Sequence, residues 1–96
     1  MAKGYIMGHI TVNDPEGYKE YIEKDTPILK ALGGRFTIRG GQSEVLEGDA
    51  LQRHVLIEFD TYEQARKAYF DEGYQEVAEI RRRCADSVII LVEGVD

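Results

Sequence analysis

The stretch Gly33-Gly34-Arg35-Phe36-Thr37-Ile38-Arg39-Gly40-Gly41 decides how this chain is organised. Gly33-Gly34 predicts a helix stop, because glycine takes the left-handed closing conformation without penalty. Arg35 to Arg39 then alternates as a strand does. Phe36 and Ile38 are expected in a core, with Arg35, Thr37 and Arg39 on the opposite face. Gly40-Gly41 predicts a bulge or sharp bend. Ser43 to Leu46 reads as a continuation of the strand beyond it.

Before the double glycine lies a helical pattern. Asp14 is an expected N-cap, Pro15 the first helical position and Glu16 a first-turn acid. Tyr18, Tyr21, Ile22, Ile28, Leu29 and Leu32 recur at helical spacing. Pro27 predicts a kink, or a short second helix capped by Asp25 or Thr26. Before that helix, Tyr5 to Val12 alternates as a strand. Ile6, Ile10 and Val12, with Gly8 among them, share one face, and Tyr5, Met7, His9 and Thr11 share the other.

Beyond the double glycine, Gly48-Asp49 marks a turn into a third strand, Arg53 to Asp60. Its core set is Val55, Ile57 and Phe59, and its opposite set His54, Leu56 and Glu58. Thr61 with Gln64 forms a capping box for a second helical region. Gly73 interrupts its apolar pattern, which Tyr74, Val77, Ala78 and Ile80 resume. The last strand, Ser87 to Glu93, is apolar at every position from Val88 to Val92, as expected of a strand covered on both faces. The order is therefore strand, helix, strand, strand, helix, strand, an α+β class with the split β-α-β unit used twice. Such a sheet carries its helices on one face, and the other face needs a second layer. A second copy of the chain, packed sheet to sheet, would supply it.

Bulk composition narrows the partners. With 96 residues there is room for one domain, 1–96, and the 43% hydrophobic and 31% charged content fits a globule. A net charge of −6 argues against nucleic acid. The run Arg81-Arg82-Arg83 reads as cations answering the negative end of a helix dipole. The one cysteine, Cys84, allows neither an intrachain disulfide nor a multi-cysteine metal site, and fits a reducing compartment. No segment reads as membrane-spanning or as a signal peptide, so a cytoplasmic location is expected.

Several short pieces in order resemble the family catalogued as domain of unknown function 1330, within the dimeric α+β-barrel group. They are Gly4-Tyr5, Asp14-Pro15-Glu16 with Tyr18 and Tyr21, Gly33-Gly34-Arg35-Phe36, Arg39-Gly40-Gly41 and Glu47-Gly48. Ile57-Glu58-Phe59, Ala65, Ala68, Tyr74 and Val92-Glu93-Gly94 complete the set. The resemblance implies a ferredoxin-like β-α-β-β-α-β monomer with a four-stranded antiparallel sheet, paired into a dimeric α+β barrel. It implies no agreed activity. By fold, the group includes cofactor-independent monooxygenases, muconolactone isomerases and haem-degrading proteins. This chain has no tryptophan, a residue that often lines the monooxygenase pockets.

The candidate site lies on the face away from the helices, where Tyr5, His9, Thr37, Arg39, His54 and Glu58 are expected. With the first and third strands as antiparallel neighbours, His9 falls diagonal to His54 or Glu58. His9, His54 and Glu58 are the candidate catalytic residues for proton transfer, and Tyr5 and Arg39 the candidate substrate contacts. Alternatively, Glu58 pairs with Arg39 or Arg53 and each histidine is a satisfied polar residue. No metal site and no cofactor are expected. Tyr18, Tyr21, Tyr69 and Tyr74 read as packing residues with their hydroxyls at the rim. The function expected is that of a cytoplasmic homodimer that binds or transforms a small, anionic organic molecule between its sheets. The alternatives are a non-catalytic structural or regulatory dimer and, by fold analogy, a cofactor-independent monooxygenase- or isomerase-like enzyme.

Overall fold

In the computed structural model, which describes all 96 residues, seven elements follow one another. They are β1 (Gly4–Val12), α1 (Pro15–Ala31), β2 (Arg35–Arg39), β3 (Arg53–Phe59), α2 (Tyr62–Tyr69), α3 (Glu72–Cys84) and β4 (Ala85–Glu93). The strands form one antiparallel sheet in the order β2-β3-β1-β4. The fold is α+β and ferredoxin-like. Ile6 and Ile10 of β1 and Ile57 and Phe59 of β3 meet Tyr18, Tyr21 and Leu29 of α1, Ala65 and Ala68 of α2, and Tyr74 and Ala78 of α3. All three helices thus lie on one face, and the molecule is a two-layer plate only 17 Å thick. None of the helices is long and apolar enough to cross a membrane.

The helix ends follow local chemistry. The Asp14 carboxylate accepts from Gly17 N, Thr61 Oγ1 from Gln64 N and Asp71 Oδ2 from Tyr74 N, each answering a backbone donor that the first turn leaves free. Gly33 closes α1 at φ +97°, where a side chain would be strained and would also strike Gln64. The Gln64 side chain is half of the expected capping box in sequence only. It turns away from Thr61 and donates to Leu32 O at 3.2 Å, tying α2 to the end of α1.

Four expectations fail for identifiable reasons. Pro27 neither kinks α1 into two pieces nor restarts it, since the helix runs unbroken from Pro15 to Ala31. Thr26 Oγ1 turns back onto Ile22 O at 2.6 Å, and Asp25 is buried instead of capping. Ser43 to Leu46 is not strand but part of an irregular connection between β2 and β3. The second helical region is two helices, and the break is at Phe70-Asp71, with Gly73 inside the first turn of α3. Finally, Ile38 leaves the core. β2 carries a bulge between Phe36 and Ile38, so Phe36 pairs with Ile57 while Ile38 pairs with the next residue along β3, Leu56. Thr37 is the extra residue, and every side chain after it changes face.

Candidate functional site

On the helix-free face, β1 and β3 run in direct register. His9 stands opposite His54, not diagonal to it, and Tyr5 stands opposite Glu58. The two imidazoles meet Nδ1 to Nδ1 at 2.9 Å, with ring planes 70° apart. One nitrogen donates and the other accepts, so the pair shares one proton across that contact. Beside it lies an open pocket of about 470 Å³ lined by Asp49, Ala50, Leu51 and Val88. No third His, Cys, Asp or Glu joins the histidines in a cluster. Glu58 is held elsewhere. It accepts from Arg35 Nε at 3.1 Å and from the Tyr5 hydroxyl at 3.1 Å, and the Arg35 bond, ahead of the Tyr5 bond, keeps its carboxyl below the usual range. The same bond, taken from the other side, raises the Tyr5 hydroxyl. Neither Arg39 nor Arg53 pairs with Glu58; Arg35 does.

Arg39 requires a correction. It was expected beside Glu58, but the bulge at Thr37 turns it to the helix side, opposite Val55. There its guanidinium lies 3.9 Å from the Phe36 ring centroid. It donates to Thr26 Oγ1 at 2.6 Å and reaches Asp25 Oδ1 at 3.4 Å. The residues thought to share one site are divided between the two faces of the sheet: Tyr5, His9, His54 and Glu58 on one, Arg39 on the other.

The helix side holds a denser constellation. Gly8, in the middle of β1, leaves a gap between sheet and helices. A cavity of about 30 Å³ occupies it, enough for one or two water-sized groups. Its lining is mostly apolar, yet Tyr18, Tyr21, Asp25, Arg39, Arg53, Tyr74 and Arg81 all reach it. A methyl group at Gly8 would make ordinary contact, 3.4 Å from Ile89 Cδ1. The Tyr21 and Tyr74 hydroxyls meet at 2.8 Å inside the core, not at the rim. Burial is the main reason that both Tyr18 and Tyr21 hold their protons more tightly than usual.

Charge is what sets this chamber apart. Asp25 is 3% exposed, and desolvation raises its carboxyl to about 6 against the pull of Arg39, Thr26, Tyr21 and Arg81. Arg81, the first of the three consecutive arginines, is also 3% exposed, and its guanidinium carbon lies 5.7 Å from the Tyr21 ring centroid. Burial works against the Arg81 charge, and the neighbouring Tyr74 and Tyr21 oxygens outweigh it. Its Nε and Nη2 are fully buried and make no hydrogen bond of good geometry, the guanidinium having only looser contact with the Tyr21 and Tyr74 oxygens, and the buried Nε of Arg53 is likewise without a partner. Most buried polar groups are paired, because an orphan costs on the order of 1–3 kcal/mol. Nε and Nη2 are adjacent donors on one edge of the guanidinium, the fork that a carboxylate fills with two parallel bonds.

Sequence reasoning missed this site because it assigned Arg81 to a solvated helix end and the tyrosines to packing. One signal was present. Tyr74, Val77, Ala78 and Ile80 fix the inner face of α3, and Arg81, seven residues after Tyr74, lies on that face.

Comparison with known proteins places the fold in context. The family model described as a domain of unknown function (DUF1330) matches residues 3–95. No curated protein matches the chain. Among solved structures, RPA0582, a protein of unknown function from Rhodopseudomonas palustris, superposes with a TM-score of 0.77 at 17% identity, covering 99% of this chain and 84% of that one. SnoaB, a cofactor-independent oxygenase from Streptomyces nogalater, gives a TM-score of 0.69 at 15% identity over 100% of this chain and 96% of its own. A dimeric ferredoxin-like protein of unknown function from Thermobifida fusca YX gives 0.59 at 14% identity over 98% and 92%. At such identities the likeness is one of fold.

Proposed function

Because the chain belongs to the domain of unknown function (DUF1330) family, whose description carries no activity, we propose a function from the chamber itself: each subunit of a homodimer binds a small organic anion there, between sheet and helices. The observation that carries this is the buried, unbonded Nε/Nη2 edge of Arg81. An anion on that edge would satisfy two orphaned donors and balance a charge held out of water. Arg53, with its own unbonded Nε, adds positive potential, and Asp25 and the Tyr21–Tyr74 pair offer proton donors and acceptors beside it. Arg39 also lines the chamber, where it is bonded to Thr26 and Asp25 and adds its charge from the β2 side.

The homodimer is supported by the opposite face. Ile38, Val88, Ile90 and Val92 are 37–49% exposed there, a contiguous apolar surface that a second sheet would cover. Binding in the chamber would leave that contact undisturbed, since the sheet lies between the chamber and that face.

The test is calorimetric titration with acetate, small enough for the chamber, and with its uncharged counterpart acetamide. The expected result is saturable binding of acetate and much weaker binding of acetamide. Gly8→Val, which fills the chamber floor without touching a charged group, should abolish acetate binding while the thermal transition stays cooperative. Equal affinity for acid and amide, or acetate binding untouched by Gly8→Val, would remove the anion chamber.

A second reading is supported by the His9–His54 contact and its 470 Å³ pocket. There the histidines exchange a proton with a substrate seated against Leu51, Val88 and Asp49. A turnover lost on His54→Ala and kept on Arg81→Gln would favour it over the chamber.

A further inference from the structure

A second buried polar group without a partner belongs to a residue that shares a groove with Arg81. Ser87, in the first half of β4, alternates with Ala85 and Ile89 toward the helices, and its Oγ is buried without a hydrogen-bond partner. Ser87 and Arg81 line the same open groove between α3 and β4, about 490 Å³ in volume, together with Tyr69, Arg82, Asp86 and Ile89. Arg81 and Ile89 also line the inner chamber, so the two spaces adjoin at these side chains. Arg82 is already committed on the helix surface, to Glu79 and to Gln75 Oε1, and Asp86 sets an exposed carboxylate at the groove's rim.

The two spaces differ in what they admit. The chamber has room for a headgroup of a few atoms. The groove is the size of ordinary ligand pockets. We infer that the α3–β4 groove holds the body of the ligand, and that Ser87 reads a second oxygen next to the carboxylate on Arg81: the ligand class is a small hydroxy or oxo acid. This rests on the anion chamber proposed above and adds where the rest of the molecule lies. The serine hydroxyl can donate to an oxo oxygen or accept from a hydroxyl, so both fit. The Asp86 carboxylate at the rim disfavours a second acid group on the distal end and selects a neutral tail.

The experiment compares hexanoate with 2-hydroxyhexanoate by calorimetry on the intact protein. In the wild type, the hydroxy acid is expected to bind about tenfold more tightly, the worth of one well-made hydrogen bond. Ser87→Ala should bring that ratio to about one and leave hexanoate affinity unchanged. The same variant should melt no lower than the wild type, because it deletes a buried hydroxyl that has no partner. Arg81→Lys should weaken both acids at least tenfold, since an ammonium cannot present the two-donor edge. A ratio that survives Ser87→Ala overturns the groove assignment and, if Arg81→Lys still weakens both acids, leaves the chamber standing. If Arg81→Lys changes neither affinity, or neither acid binds the wild type, chamber and groove assignments both fall.

Discussion

Asp25 shows how a single side chain couples the chamber to pH. It is nearly inaccessible, and burial raises its carboxyl from 3.8 to about 6. A carboxyl that holds its proton more tightly in the folded state stabilises the fold below its unfolded value. That contribution is lost as pH rises through the folded value. Stability should therefore decline between roughly pH 4 and pH 6.5, by about 2–3 kcal/mol from this group at 1.36 kcal/mol per pKa unit. Asp25→Asn should flatten that part of the profile in denaturant melts from pH 4 to pH 8, with the variant more stable than the wild type at pH 8. A wild-type profile that rises over this range, or an unchanged slope in the variant, would show that Asp25 is not the group responsible. Arg39 limits the cost of the ionised form, so Arg39→Met should steepen the decline. The expected measure is a carbon-13 titration of the Asp25 carboxyl, with its midpoint displaced upward in the variant.

At the level of elements, β2 decides which side chains share a site. Its pairing with β3 runs Phe36 to Ile57 and then Ile38 to Leu56, with Thr37 unmatched. Deleting Thr37 should therefore leave both pairings in place and keep Arg39 on the helix side. Cross-strand amide contacts between Ile38 and Leu56 in nuclear Overhauser spectra would report it; loss of those contacts would mean that the bulge sets the register instead of merely interrupting it. The element order, both N-caps and the inward faces of β1 and β3 were legible in the sequence, because alternation and capping act over a few residues. Ile38 and Arg39 were not. Gly40-Gly41 advertised an irregularity, but the slip occurs three residues earlier, at a threonine with no special backbone preference. Arg81 was hidden for a different reason. Only the packing of α3 on α1 decides whether a cation near a helix end meets water or the core, and a run of arginines looks the same in either case. Pro27 makes Asp25 or Thr26 a candidate cap in the sequence, yet the helix passes through and buries Asp25.

For the whole molecule, the plate has one finished and one unfinished face. Isoleucine and valine at Ile38, Val88, Ile90 and Val92 would be an aggregation hazard on a lone sheet and a sound interface on a paired one. Light scattering should find about twice 10.9 kDa for the wild type, and Ile90→Arg should shift the particle toward the monomer mass or into aggregates. A wild type that is monomeric at high micromolar concentration would require another cover for that face. Pairing there leaves the helix side open, so chamber and dimer can be tested apart. The most direct test of the chamber is the Nε–Hε resonance of Arg81 in nitrogen-15 spectra of the protein during a titration with 2-hydroxyhexanoate. Arg81 should shift progressively, saturate and exchange more slowly with water, while the surface residue Arg66 stays in place. An Arg81 signal that is unmoved at saturating acid, or shifts confined to surface arginines, would contradict anion binding at the buried guanidinium.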